Sequence, residues 1–142
     1  MMKVLNVMIV DDEKQIRNGL KMKIDVEKLG LSIVEEASNG REALKKINEV
    51  PIDILITDVK MPGMDGVELV KKCKEMNFKG KMLVLSGYSD YEYVRHTMKE
   101  GVKDYLLKPI DPEELEEVLI KLRREIEEDI RLTREKKDLR SL

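Results

Sequence analysis

Five short apolar runs alternate with five segments of helical period along this chain, and that alternation limits the fold more than any other feature. Val4 to Val10, Leu31 to Ala37, Ile52 to Thr57, Met82 to Ser86 and Asp104 to Leu107 read as strands. The first intervening helix carries Ile16, Leu20 and Ile24, and the second Ala43, Leu44 and Ile47. Leu69, Val70, Cys73 and Met76 share a face of the third, and Val94 and Met98 mark the fourth. A long charged helix runs from Pro112 to about Leu139, roughly 40 Å at 1.5 Å per residue. Strands that are apolar throughout, rather than on alternate residues, belong to a parallel sheet with helices on both faces. The expected architecture is an open, doubly wound α/β domain.

Helix starts are legible. Asn39 to Glu42, Asp65 to Glu68, Ser89 to Glu92 and Asp111 to Glu114 have the form of a capping box, in which a short polar side chain binds the N–H three residues on. Pro112 takes the first helical position, where a missing N–H costs nothing. At 142 residues the chain has the length of one domain and needs no covalent staple. Its single cysteine, Cys73, excludes an internal disulfide framework and suits a reducing, cytoplasmic setting. No apolar run approaches the roughly 20 residues that span a bilayer, so no membrane partner is expected. Twenty-seven basic against 29 acidic residues leave a net charge of −2, which argues against DNA binding by this segment itself.

In such sheets, ligands bind beyond the carboxyl ends of the strands. Strand one ends in Asp11-Asp12-Glu13, strand three in Asp58 and strand four in Ser86-Gly87, and strand five runs into Lys108-Pro109. Two carboxylates about 4 Å apart repel by roughly 4 kcal/mol at an effective dielectric near 20. Three on one rim will seek a divalent cation or a raised pKa. All-oxygen donors with room for water suit Mg2+. A lysine and a hydroxyl beside it complete a cradle for a transferring phosphoryl group, and the deepest carboxylate is placed to act as nucleophile.

The set Asp11-Asp12, Asp58, Ser86 and Lys108-Pro109 resembles the receiver domain of two-component response regulators over residues 3 to 122. The strings Thr57 to Gly66 and Leu107-Lys108-Pro109 carry the resemblance most specifically. It implies a flavodoxin-like five-stranded parallel sheet and phosphoryl transfer to Asp58 from a sensor histidine kinase. It further implies that Asp12, Asp58 and the main-chain carbonyl of Lys60 hold Mg2+, with Asp11 acting through a water. Ser86 and Lys108 would each meet a phosphoryl oxygen, and the Lys108–Pro109 peptide would be cis. Ser86 and Tyr105 would form the switch, with Tyr105 swinging inward. The responding face would be the helix after strand four, strand five and the last helix, where receivers often form homodimers. By the same resemblance, Lys60 and Tyr88 would take the two variable positions that flank the phosphoryl group and would tune its loss.

Ser86 to Tyr93 is similar to receivers that precede AraC-type DNA-binding domains, which implies transcription control through an output domain. Residues 1–122 are accordingly read as the receiver, and 123–142 as a helical extension or linker towards that missing domain. Contact with DNA is expected only through it. The extension also offers a second route to a homodimer. The chain is expected to be a signalling module that catalyses only its own phosphorylation and dephosphorylation. Within the family, the alternative is a stand-alone receiver acting by protein contact. An aspartate-nucleophile phosphatase would carry a second acid where Lys60 stands, and a flavin carrier would not place Asp11-Asp12-Glu13 in its phosphate loop. Cys73 is expected to be an inert core thiol, His96 to lie on a solvated helix face, and Glu13 to serve the first helix turn.

Overall fold

A computed structural model describes residues 3–90, 92, 95, 99 and 104–140, with the side chain of Tyr88 excluded. The strands are β1 (Leu5–Val10), β2 (Leu31–Ala37), β3 (Ile54–Asp58), β4 (Lys81–Ser86) and β5 (Asp104–Leu107). The helices are α1 (Lys14–Lys23), α2 (Val26–Leu29), α3 (Gly40–Glu49), α4 (Gly66–Glu75) and α5 (Pro112–Arg140), with a 3-10 turn at Tyr88–Asp90. The sheet is parallel in the order β2-β1-β3-β4-β5, so the direction of winding reverses between β1 and β3.

Successive residues of each central strand enter opposite cores. Val7, Ile9, Ile54, Ile56, Leu83 and Leu85 pack with Leu20 of α1 and with Leu115, Leu119 and Leu122 of α5. Met8, Val10, Leu55, Met82 and Val84 pack on the other side with Ala43 of α3 and with Leu69, Val70 and Cys73 of α4. Two buried faces explain why the strands are apolar throughout. The edge strand β2 shifts register between its pairs with Val7 and Met8, leaving Val34 without a partner residue in β1.

Two caps form as expected: Asn39 accepts from the Glu42 N–H at 2.9 Å and Asp65 from the Glu68 N–H at 3.0 Å. Glu42 turns to Ser38, completing the box one residue early. At Asp111 the contact to the Glu113 N–H is long, 3.4 Å. The fourth box, Ser89 to Glu92, runs partly outside the described residues, as do Val94, His96 and Met98. The short α2 went unread in the sequence; it ends on Gly30 in the left-handed region, φ 65°. Ile16 and Met76, expected in the core, are 37% and 41% exposed. Ile16 borders a groove beside Lys108 and Pro109, and Met76 sits past the last turn of α4.

Candidate functional site

The end of β3 is held by its neighbours before any charge is considered. The Val59 N–H donates to the Leu85 carbonyl at 3.1 Å, and the Thr57 hydroxyl to the Asp58 carbonyl at 3.0 Å. The Gly66 N–H donates to Val59 O at 2.8 Å, drawing the start of α4 against the strand. A Cβ at Gly66 would lie 2.1 Å from the Asp58 carbonyl oxygen, so only glycine allows this approach. The turn leading there takes its left-handed residue at Gly63, φ 75°. Asp58 is thereby fixed at the carboxyl end of a central strand, 7% exposed.

Beside it, β1 delivers Asp11 and Asp12. The Asp11 N–H donates to the Ala37 carbonyl at 3.0 Å, and its Oδ1 accepts from the Glu13 N–H at 2.9 Å. Each of Asp11, Asp12 and Asp58 presents an oxygen within 4.8 Å of the others'. Lys108 Nζ lies 3.1 Å from Asp58 Oδ2 and 3.7 Å from Asp11 Oδ2. The Lys108 N–H donates to the Ser86 carbonyl at 2.8 Å, which ties β5 to the end of β4, and the Lys108–Pro109 peptide is cis.

One lysine among three carboxylates is too little positive charge. Burial raises the Asp58 carboxyl above its ordinary value; Lys108 pulls it down, Asp11 pushes it up again, and burial wins. Burial also acts to lower the Lys108 ammonium, but Asp58 and Asp11 together outweigh it and hold it above its usual range. Asp11 Oδ2 is buried without a hydrogen bond. Three carboxylates within 4.8 Å of one another, one with a buried oxygen that has an ion pair but no hydrogen bond, are what a hard divalent cation would satisfy, so the donor set fits Mg2+.

The remaining expected residues divide. Ser86 is fully buried at the end of β4, with its hydroxyl turned to the Gly87 carbonyl at 2.8 Å. Tyr105 is on β5, 38% exposed, between inward-facing Leu106 and the pair of Asp104 with Lys121 at 3.2 Å. The Lys60 ammonium ion-pairs at 3.4 Å with Asp90, a buried carboxylate that sequence reading passed over because it looked like part of a helix cap. The side chain of Tyr88 lies outside the description. Glu13 takes the N-cap position of α1 without capping it through its side chain. Cys73 is fully buried, and burial pushes its thiol up to about 12, which makes it inert.

Among the described residues, no helix is long and apolar enough to cross a membrane. The uncharacterized transcriptional regulatory protein YesN of Bacillus subtilis is 44% identical over 123 residues, covering 84% of this chain but 33% of its own length. The transcriptional regulatory protein HptR of Staphylococcus aureus is 36% identical over 119 residues, again 84% of this chain and 46% of its own. The chain thus spans between a third and a half of the curated relatives it matches. Among solved structures, the REC domain of AraT, a response regulator from Geobacillus stearothermophilus, superposes with a TM-score of 0.83 at 38% identity, covering 88% of this chain and 97% of that one. The two component transcriptional regulator AraC from Clostridium phytofermentans gives 0.77 at 36% identity, over 84% and 93%. Residues 7–120, which include every acid and base of the rim, match the response regulator receiver domain. By fold, by sequence and by the set of side chains at its carboxyl edge, this chain belongs to the response regulator receiver family.

Proposed function

We propose that Asp58 is the phospho-acceptor of a two-component response regulator and that the donor is a phosphohistidine on a sensor histidine kinase. The observation that carries this reading is the Lys108 ammonium 3.1 Å from Asp58, with the Asp11 and Asp12 oxygens within 4.8 Å. An Asp58 oxygen attacks phosphorus, the phosphorus–nitrogen bond breaks, and the imidazole keeps the electron pair, leaving an acyl phosphate on the protein. Lys108 pairs with a phosphoryl oxygen, and Ser86 turns its hydroxyl from Gly87 to another. Asp11, Asp12, Asp58 and the Lys60 main-chain carbonyl would hold Mg2+, which supplies positive charge against the carboxylates and the phosphoryl oxygens. The chain's catalysis is confined to gaining and losing its own phosphoryl group.

Movement of Ser86 vacates space that Tyr105 enters from its half-exposed position. The responding face, with Tyr105 and Leu107 of β5 exposed on it, is then offered to a second copy; α5 is the other dimer surface. We read residues 1–122 as the receiver and 123–142 as the extension towards an output domain. The extra length of the relatives accommodates such a domain, and their names support transcription control. Any contact with DNA belongs to that domain. The lone buried thiol suits a cytoplasmic setting.

By resemblance, positions 60 and 88 are the two that flank the mark, and neither lysine nor tyrosine is a residue type that orients an attacking water, so its loss is slow. One experiment tests both parts. Acetyl phosphate with Mg2+ should label the wild type with a hydroxylamine-sensitive phosphoryl group and leave Asp58→Asn unlabelled but folded. The label should decay faster in Lys60→Asn/Tyr88→Glu. Normal labelling of Asp58→Asn would overturn the acceptor, and equal decay would remove the tuning role.

A further inference from the structure

The loop that carries Asp11 and Asp12 is pinned from a direction that the receiver motif does not include. Arg17, one turn into α1, donates from Nη1 to the Asp11 main-chain carbonyl at 2.6 Å. Its Nε donates to Glu36 Oε1 at 3.0 Å. The other oxygen of Glu36 accepts from Lys21 Nζ at 2.7 Å. Glu36 stands next to Ala37, whose carbonyl receives the Asp11 N–H at 3.0 Å. Asp11 is therefore held at its N–H by β2, at Oδ1 by Glu13 and at its carbonyl by Arg17, while Oδ2 alone has no hydrogen bond.

We propose that Arg17 is a positioning residue for the divalent-cation site, fixing the plane of the Asp11–Asp12 peptide while Glu36 fixes Arg17. This rests on reading Asp11, Asp12 and Asp58 as that site. The carbonyl Arg17 holds belongs to the peptide joining the two acids, so its orientation sets where the Asp12 side chain departs. Asp11 is buried and held at three points, whereas Asp12 is exposed and depends on that peptide for its direction.

Two effects compete when Arg17 is removed. Loss of a cation near the acids would favour Mg2+, and loss of the fixed peptide would disfavour it. Glu36 already offsets the guanidinium charge at 3.0 Å, so the positional effect prevails. Substitutions of groups that orient metal ligands commonly cost roughly 10-fold or more in affinity. Lysine is a poor replacement, because a single ammonium lacks the rigid fork that reaches carbonyl and carboxylate together.

The test is calorimetric titration with Mg2+, paired with thermal unfolding in EDTA. Arg17→Ala should bind Mg2+ about 10-fold more weakly. Arg17→Lys should fall between it and the wild type, and Lys21→Ala should change affinity less than about twofold, because it leaves both Arg17 contacts in place. Unfolding in EDTA should move by only a few degrees, separating the loss of cation binding from a loss of fold. If Arg17→Ala does not fold, Glu36→Gln replaces it, with an expected loss of about threefold, below the roughly 10-fold of a direct orienting group because Arg17 keeps its bond to the Asp11 carbonyl. Wild-type affinity in the folded variant, or an equal loss in Lys21→Ala, would overturn the inference. A wild type that binds no Mg2+ would overturn the site reading and this inference with it.

Discussion

The two ends of this sheet bury charge in opposite ways. At the amino end, Arg123 of α5 is 7% exposed and reaches three main-chain carbonyls: Leu29 at 3.1 Å, Gly30 at 2.8 Å, and Lys3. Its Nε lies 2.9 Å from a Glu127 oxygen, an ion pair without hydrogen-bond alignment. At the carboxyl end, Asp11 and Asp58 are equally buried, share one lysine, and leave Asp11 Oδ2 with no hydrogen bond. Arg123 closes the starts of β1 and β2 against α5. The acids at the other edge are held in a state that a cation and a phosphoryl group would complete. The structural charge is matched by main-chain carbonyls, whereas the functional ones crowd like charges around a single shared lysine.

The largest effect expected from this contrast is at Arg123. Arg123→Ala strands buried carbonyls and should cost about 3 kcal/mol, read as a lower urea midpoint. A loss below about 0.5 kcal/mol, the usual range for surface sites, would mean that the amino end does not depend on its buried charge. A smaller effect is expected at Glu36, between the two extremes of burial. The hydrogen bond from Lys21, helped by Arg17, holds its carboxyl below the ordinary value of 4.5 against the opposing effect of burial. A depressed folded-state value stabilises the protein above the unfolded value, and the gain is lost as pH falls through the folded one. The stability difference between wild type and Glu36→Gln should therefore be full at neutral pH and shrink below about pH 4.5. A difference that stays flat down to about pH 3 would detach Glu36 from its partners.

The carboxyl end was legible because its chemistry follows from topology. Once the strands are parallel, their last residues share a rim, so Asp11, Asp12, Asp58 and Lys108 could be assembled from positions far apart in the chain. Arg17, Asp90 and Arg123 were not legible, because each acts through a main-chain carbonyl or a partner from another element. Arg123 read as one charge among many in a solvated helix, though it is buried. Nothing in the sequence sets Arg17 apart from the other charged residues of α1. The strand and helix order followed from periodicity, whereas α2 is a single turn, too short to show a period. Ile16 carried the right spacing for the core but lies towards the open groove beside Pro109.

The central claim is that the carboxyl-end acids are held under repulsion for a cation and a phosphoryl group. Urea unfolding of the wild type and Asp58→Asn, each in EDTA and in saturating Mg2+, tests it most directly. Burial raises the Asp58 carboxyl, so its ionised form costs stability at neutral pH, and Asp58→Asn should be the more stable protein in EDTA. Mg2+ should then stabilise the wild type by about 2.7 kcal/mol at 100 times its dissociation constant, and the variant by clearly less. An Asp58→Asn protein no more stable than wild type in EDTA, with Mg2+ raising both equally or neither, would contradict the account.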